Sequence, residues 1–334
     1  MRKLVLISSM LSVALVVFYF EAKAPNPFEF ANTKALKADN AKEYSQGDTL
    51  SVMTYNIGYL SGMTNNRAME RSEEFVKENE RALISFLQST TPDILAVQEI
   101  DFQSKRSYEV NQGELIFDEV NYSDFQFSIN WNKRYVPFPT WPVSAHFGKI
   151  ISGQSIFSSL PMANKEAIVV ENDIDNHFLY KAFYLNKLIQ IADVIAGKDT
   201  IKIVHVHLEA FDKEARVKST EVVIDLFEKY AATMPVLLIG DFNSKPEYIV
   251  EDAMSEIMTA KYAQSAVTQA MRERNPSEYF TFDTREPYQM IDYIIYNENF
   301  IQPISAEVLS EAGEISDHFP VRMEFVIKPQ IDNN

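Results

Sequence analysis

"PVLLIGDFN" runs from Pro235 to Asn243. A short apolar run behind a proline reads as a buried strand. Its end is the anomaly, because Asp241 and Asn243 follow at once, where an apolar core has no use for them. Taken alone they close a turn in solvent, as Asp and Asn commonly do. The same habit recurs along the chain. Asn56 follows "SVMTY", Glu99 follows "DILAVQ" and His207 follows "IKIVHV". Asp292 stands near the start of "MIDYIIYN", and the pair Asp317-His318 stands just before "FPVRMEFVI". Strands of one sheet end near one another, so polar residues repeated at strand ends converge on one place.

The segments between these strings fill in the architecture. Phe75, Ala82, Leu83, Phe86 and Leu87 recur at near-helical spacing, with Pro92 at the exit. Val222, Val223, Leu226, Phe227 and Tyr230 mark a second helix, and "SGQSIFSS" (Ser152–Ser159) a further strand. In "TIKIVHVHLEA" (Thr200–Ala210), alternation puts Ile201, Ile203, His205 and His207 on one face, and Val204, Val206 and Leu208 on the other. Strands outnumber helices. The pattern is that of an α/β protein of packed sheets covered by helices, not of a barrel with eight βα repeats.

The chain has 334 residues, 46% of them hydrophobic, and no cysteine. Disulfides, thiolate metal sites and cysteine nucleophiles are thereby excluded. A formal net charge of −16 argues against a protein built to coat nucleic acid, since the phosphate backbone rewards Lys and Arg. At the N-terminus, "MRK" precedes the uncharged apolar run Leu4–Phe20, and Ala22-Lys23-Ala24 offers a small-x-small cleavage site. Residues 1–24 are therefore expected to be either a cleaved signal peptide or an uncleaved membrane anchor. A linker over 25–47 and a single catalytic domain over 48–329 follow. The bulk of the chain is expected outside the cytoplasm, periplasmic or extracellular, or held on the membrane by the N-terminal segment. A monomer is expected.

The residue types at the strand ends select a chemistry. Asn56, Glu99 and Asp317 supply only oxygens, a set suited to a hard cation, Mg²⁺ or Mn²⁺. Two histidines with carboxylates nearby suit general acid–base work, and Asn243 is a neutral donor for charge on an oxygen. Together these are the parts for hydrolysing a phosphate ester. In order, the strings "TYNIG", "AVQEI", "HVHLE", "IGDFNS", "MIDYIIYN" and "SDHFPV" resemble the endonuclease/exonuclease/phosphatase superfamily. The resemblance spans roughly Leu50 to Ile327. It implies a four-layer αββα sandwich of two mostly antiparallel sheets flanked by helices. It also implies Glu99 as the main metal ligand, with Asn56 and Asp317 beside it. Asp241 would position or deprotonate the attacking water, and Asn243 would bind the scissile phosphate. His318 would face the phosphate, oriented by Asp292, with His207 near the leaving group. Water would attack phosphorus in line, without a phospho-enzyme.

Two departures from the family pattern matter. Where relatives show Asn-Thr before the histidine at 207, this chain has His205-Val206, and His205 is either a hydrogen-bond partner behind the site or a satisfied core histidine. Where some relatives place an acid two residues after the first Asn, this chain has Gly58, which puts a second metal in doubt. An aromatic stretch over Asn121–Lys149 holds both tryptophans, Trp131 and Trp141. It reads either as a rigid packing loop or as a lip over the site, where Lys133, Arg134 and Lys149 would meet a phosphate. The acidic chain and its leader favour a lipid or small-molecule phosphoester outside the cytoplasm. A secreted nuclease of the same mechanism, and a non-catalytic binding protein on the same fold, are the alternatives.

Overall fold

The computed structural model describes residues 2–26, 40–65, 67–170 and 177–329. Most of the expected linker therefore lies outside the described residues. An apolar helix α1 (Arg2–Lys23) comes first. Two six-stranded sheets follow. The first contains β1 (Leu50–Asn56), β2 (Ile94–Asp101), β3 (Asp124–Val136), β4 (Gly148–Ser158), β11 (Ile301–Val308) and β12 (Val321–Ile327), in the order β11-β12-β1-β2-β4-β3. The second contains β5 (Met162–Val170), β6 (Lys187–Ala196), β7 (Asp199–His207), β8 (Val236–Asp241), β9 (Ala263–Ser265) and β10 (Asp292–Asn297), in the order β5-β6-β7-β8-β10-β9. Among the described residues, β1–β2 and β7–β8 pair in parallel and the other pairings are antiparallel.

Strand parity builds the layers. Met53, Tyr55, Leu95 and Val97 point outward and pack with Leu83, Phe86 and Leu87 of α2 (Glu73–Thr90) and with Ile116 and Phe117 of α3 (Gln112–Val120). Leu50, Val52, Ile94, Ala96 and Met323 belong to the larger core, which also takes in the second sheet. That sheet is covered by Val223, Phe227 and Ala231 of α5 (Lys213–Ala231). The result is the expected αββα sandwich. Local signals agree with it: Ser72 and Asp212 cap α2 and α5 by accepting from the backbone N–H groups of Phe75 and Ala215. Pro92 follows α2 after Thr91, which closes that helix in left-handed backbone.

The space between the sheets is not wholly apolar. His205 lies there fully buried, its Nδ1 donating to Gln190 Oε1 at 2.8 Å and its Nε2 facing Gln98 Nε2. Gln98 donates to Thr54 as well, and Gln190 to Ser128. Burial pulls the His205 pKa down to about 3, so the ring is a neutral, hydrogen-bonded bridge between sheets.

The aromatic stretch is largely a strand. Thirteen of its residues form β3, the edge of the first sheet, and Trp131 is buried in a small cluster with Val136, Phe147 and Ile150. Two of the three basic residues expected to meet a phosphate are otherwise engaged. Arg134 pairs with Glu21 and Lys149 with Glu109, while Lys133 is half-buried.

Candidate active site

Each sheet sends its polar strand ends to the same edge of the sandwich. In the second sheet, His207 pairs in register with Asp241 across β7–β8, and Asp241 with Asp292 across β8–β10. Three functional side chains thus stand in one cross-strand row. Gly240 makes that row possible. It lies at φ +146°, and a Cβ there would come within 1.9 Å of the Val206 carbonyl oxygen, so no larger residue lets β8 approach β7.

In the first sheet the matching row is Asn56 and Gln98, one residue short of Glu99. The β2–β4 ladder slips its register between Val97 and Ile100, and Glu99 sits at φ +53° in left-handed backbone. Ordinary alternation carries Gln98 inward to His205 with Ile94 and Ala96, and the bulge lets Glu99, next in line for the outer face, turn to the site. Asn243 also adopts left-handed backbone, at φ +49°. Such conformations cost roughly 1–3 kcal/mol each and persist where surrounding structure imposes them.

All eight side chains picked out from the sequence come together. Asn56 Nδ2 donates to Asp241 Oδ2 at 2.9 Å, linking the sheets. His207 Nε2 lies 3.6 Å from that same oxygen and 3.9 Å from Glu99 Oε1. His318 Nδ1 donates to Asp292 Oδ2 at 2.9 Å, leaving Nε2 3.9 Å from Asp241 Oδ2. The Asn243 N–H donates to Asp241 Oδ1 at 2.8 Å, and its Nδ2 to the Leu208 carbonyl at 3.1 Å. Asp317 and Glu99 meet through Asn65, whose Nδ2 lies 3.0 Å from Glu99 Oε2 and 3.3 Å from Asp317 Oδ1.

Three neighbours carried no signal in the sequence. Asn65 lies in a loop without periodicity. Lys187, at the start of β6, is buried and donates to the Leu208 carbonyl at 2.9 Å. Arg106 is held by Asp101 and stacks on the Tyr59 ring at 3.3 Å. None of the three stands at the end of an apolar run, the only cue the sequence offered.

The electrostatics divide the site. Burial, then repulsion from Asp317, pushes Glu99 up; burial, then repulsion from Asp292, pushes Asp241 up to about 7. Burial, with help from Lys187 and His318, holds His207 well below its ordinary range. His318 goes the other way. Burial pulls it down, but Asp292, Asp241 and Asp317 outweigh this and raise it well above.

Glu99, partly exposed, and Asp317, buried, are thus two like charges joined by one amide, an all-oxygen arrangement that fits a hard divalent cation. Asp241, Asp292 and His318 offer a second possible set, with ligand atoms all within 4.8 Å of one another. Gly58, at φ +52°, has no room for the extra acid of some relatives: a Cβ there would lie 3.0 Å from both Asp317 Oδ1 and Ser316 Oγ.

An αββα sandwich with carboxylates, amides and imidazoles gathered at one edge defines a hydrolase of the phosphoesterase and nuclease kind. The model described as the Endonuclease/Exonuclease/phosphatase family matches residues 53–318, and the chain belongs to that family. No curated protein matches the chain in sequence. Several solved structures share the fold. An endonuclease/exonuclease/phosphatase from Beutenbergia cavernae is 18% identical, covers 84% of this chain and 72% of its own, and superposes with a TM-score of 0.60. The human Nocturnin catalytic domain, solved with a bound sulfate anion, is 17% identical over 85% and 96% of the two chains, with a TM-score of 0.58. A mannosyl-6-phosphatase of Bacteroides thetaiotaomicron is 15% identical over 83% and 99%, with a TM-score of 0.57.

Proposed function

We propose that the chain is an exported, Mg²⁺- or Mn²⁺-dependent phosphoester hydrolase acting on a lipid or small-molecule phosphoester. The observation that carries this reading is the opposed pair of imidazoles around Asp241. His207 is held neutral and His318 held charged, both within 4 Å of one carboxylate oxygen. Glu99 and Asp317, with Asn56, would hold the cation, which when bound neutralises charge on the phosphate and orients its oxygens. Asp241 holds the attacking water and takes its proton; a carboxyl raised to about 7 is suited to that work near neutral pH. Asn56 fixes the rotamer of Asp241. The His318 imidazolium, kept in place by Asp292, faces the developing negative charge. The second N–H of the Asn243 amide serves the phosphate beside it, and His207 stands towards the leaving group.

The substrate preference rests on the acidity of the chain, on its apolar leader and on how cations near the site are spent. Arg71 bonds Thr64, Arg106 bonds Asp101 and Lys187 bonds Leu208. The sugar phosphatase among the structural relatives supports a small phosphoester within this fold.

A substrate panel tests the proposal: bis-p-nitrophenyl phosphate, p-nitrophenyl phosphate, sphingomyelin and plasmid DNA, each with Mg²⁺, Mn²⁺ or EDTA. Hydrolysis should need the cation and should fall steeply in His318→Ala. Activity that survives EDTA contradicts the mechanism, and DNA turnover far above the rest makes the protein a nuclease.

A further inference from the structure

Helix α1 ends against the catalytic fold. The Ala24 carbonyl accepts from the Arg134 N–H at 2.8 Å. Asn26 Nδ2 donates to Asn132 Oδ1 at 3.0 Å and to the Lys133 carbonyl at 2.9 Å, and Asn132 returns a bond to the Asn26 carbonyl at 3.2 Å. Glu21 pairs with Arg134 at 2.5 Å. Phe18 meets Tyr135 edge-on with centroids 5.7 Å apart, and Tyr19 meets Phe178 and Phe183 of α4 (Phe178–Phe183) at 6.4 and 6.0 Å. The last turns of the apolar helix, β3 and α4 are therefore one packed unit.

The surface around this junction is apolar and uncovered. Phe138, Trp141 and Val143 project from the turn between β3 and β4, with Trp141 76% exposed, and Phe178 projects from α4. α1 has 22 residues, about 33 Å at 1.5 Å per residue, enough to cross a hydrocarbon layer of about 30 Å. Its Leu6–Lys23 stretch is almost wholly exposed. The domain end of the helix carries Tyr19, Phe20 and Lys23, with Lys23 Nζ 4.7 Å from both ring centroids. Aromatic rings beside a snorkelling lysine are the chemistry of the headgroup layer.

We propose that Phe138, Trp141, Val143 and Phe178 form an interfacial collar, entering the headgroup layer of the same bilayer that holds α1. The inference rests on reading α1 as a retained anchor, and adds to the proposed function a fixed seat on the membrane. Bulk charge does not supply that seat, since the chain carries −16. The collar adjoins the site: just after α4, the Tyr184 hydroxyl bonds Glu209 at 3.0 Å, two residues beyond His207. The segment after α4 is thereby tied to the strand end that carries His207.

The test uses the full chain, with and without Trp141→Phe, reconstituted in phosphatidylcholine vesicles whose acyl chains are brominated near the headgroup. Trp131 and Trp141 are the two tryptophans. Wild type should lose about half of its tryptophan emission to the bromolipid, the share of the interfacial one of the two. Trp141→Phe should lose little, because the buried Trp131 remains out of reach. Equal quenching of the two proteins overturns the collar. So does a Trp141 quenched by aqueous acrylamide but not by bromolipid, or shielded from both, which would indicate a protein partner. Release of the chain from membranes by alkaline carbonate overturns it through α1. Turnover of bis-p-nitrophenyl phosphate, measured on the same vesicles, reports separately on the proposed function.

Discussion

The two sheets deliver their side chains to the site differently. The second sheet places His207, Asp241 and Asp292 in a single cross-strand row, each the register partner of the next. The first sheet breaks its own ladder at β2 to turn Glu99 outward, and supplements it with Asn65 and Asp317 from loops. The regular wall holds an imidazole and two acids, each acid bonded across to the other side of the site, Asp241 to Asn56 and Asp292 to His318. The irregular wall gathers two like charges that share the Asn65 amide. A wall of ordinary strand register suits proton transfer, where fixed distances matter. A bulged wall that brings two carboxylates together has the donor set that a hard cation would use.

The largest effect expected is at His318, which the segment before β12 of the first sheet sets against the acids of the regular wall. His318→Ala should lower kcat/KM by about 10²–10⁴-fold, the range for a positioned acid–base group, as read by steady-state hydrolysis of bis-p-nitrophenyl phosphate. Asp292→Asn keeps the shape but removes the largest charge that raises His318. The His318 pKa should then fall, so the alkaline limb of the rate profile should move to lower pH, with kcat reduced by roughly 10²-fold.

A smaller effect concerns stability. His205 and His207 are two residues apart on one strand face, yet only His207 reaches the site. His205→Leu leaves the Gln98 and Gln190 amides without their partner. It should cost on the order of 1–3 kcal/mol for each group left unpaired, read by denaturant melts, while kcat/KM of the folded protein holds.

The smallest effect is a pH slope. Asp241 has its folded pKa raised to about 7 from an ordinary 3.8, so below about pH 4 its contribution to stability is fully present. That contribution is lost as pH rises through about 7. In EDTA, the melting temperature of wild type minus that of Asp241→Asn should therefore fall between pH 4 and 7, by a few °C.

Most of the regular wall was legible in the sequence, because apolar runs ending in Asp, Asn or His announce themselves. The parity of "IKIVHVH" placed both histidines on the face that β7 turns to the first sheet. The irregular wall was only half legible. A bulge inserts one residue without disturbing the apolar pattern around it, so nothing in "DILAVQEI" told that Glu99 leaves the ladder. Asn65 has no periodicity at all. β11 carries Pro303, which weakens a strand reading, and β5 is an edge strand with few buried residues. β3 was hidden by its own aromatics, which suggested a loop.

We propose that Glu99 and Asp317 hold the cation, while the proton chemistry falls to Asp241 and the two imidazoles beside it. Mn²⁺ binding, followed by electron paramagnetic resonance on wild type, Glu99→Gln and His318→Ala, tests it directly. One bound Mn²⁺ is expected in wild type, retained in His318→Ala and lost or greatly weakened in Glu99→Gln. Binding lost in His318→Ala but kept in Glu99→Gln would place the metal among Asp241, Asp292 and His318 instead, and would contradict the division of the site.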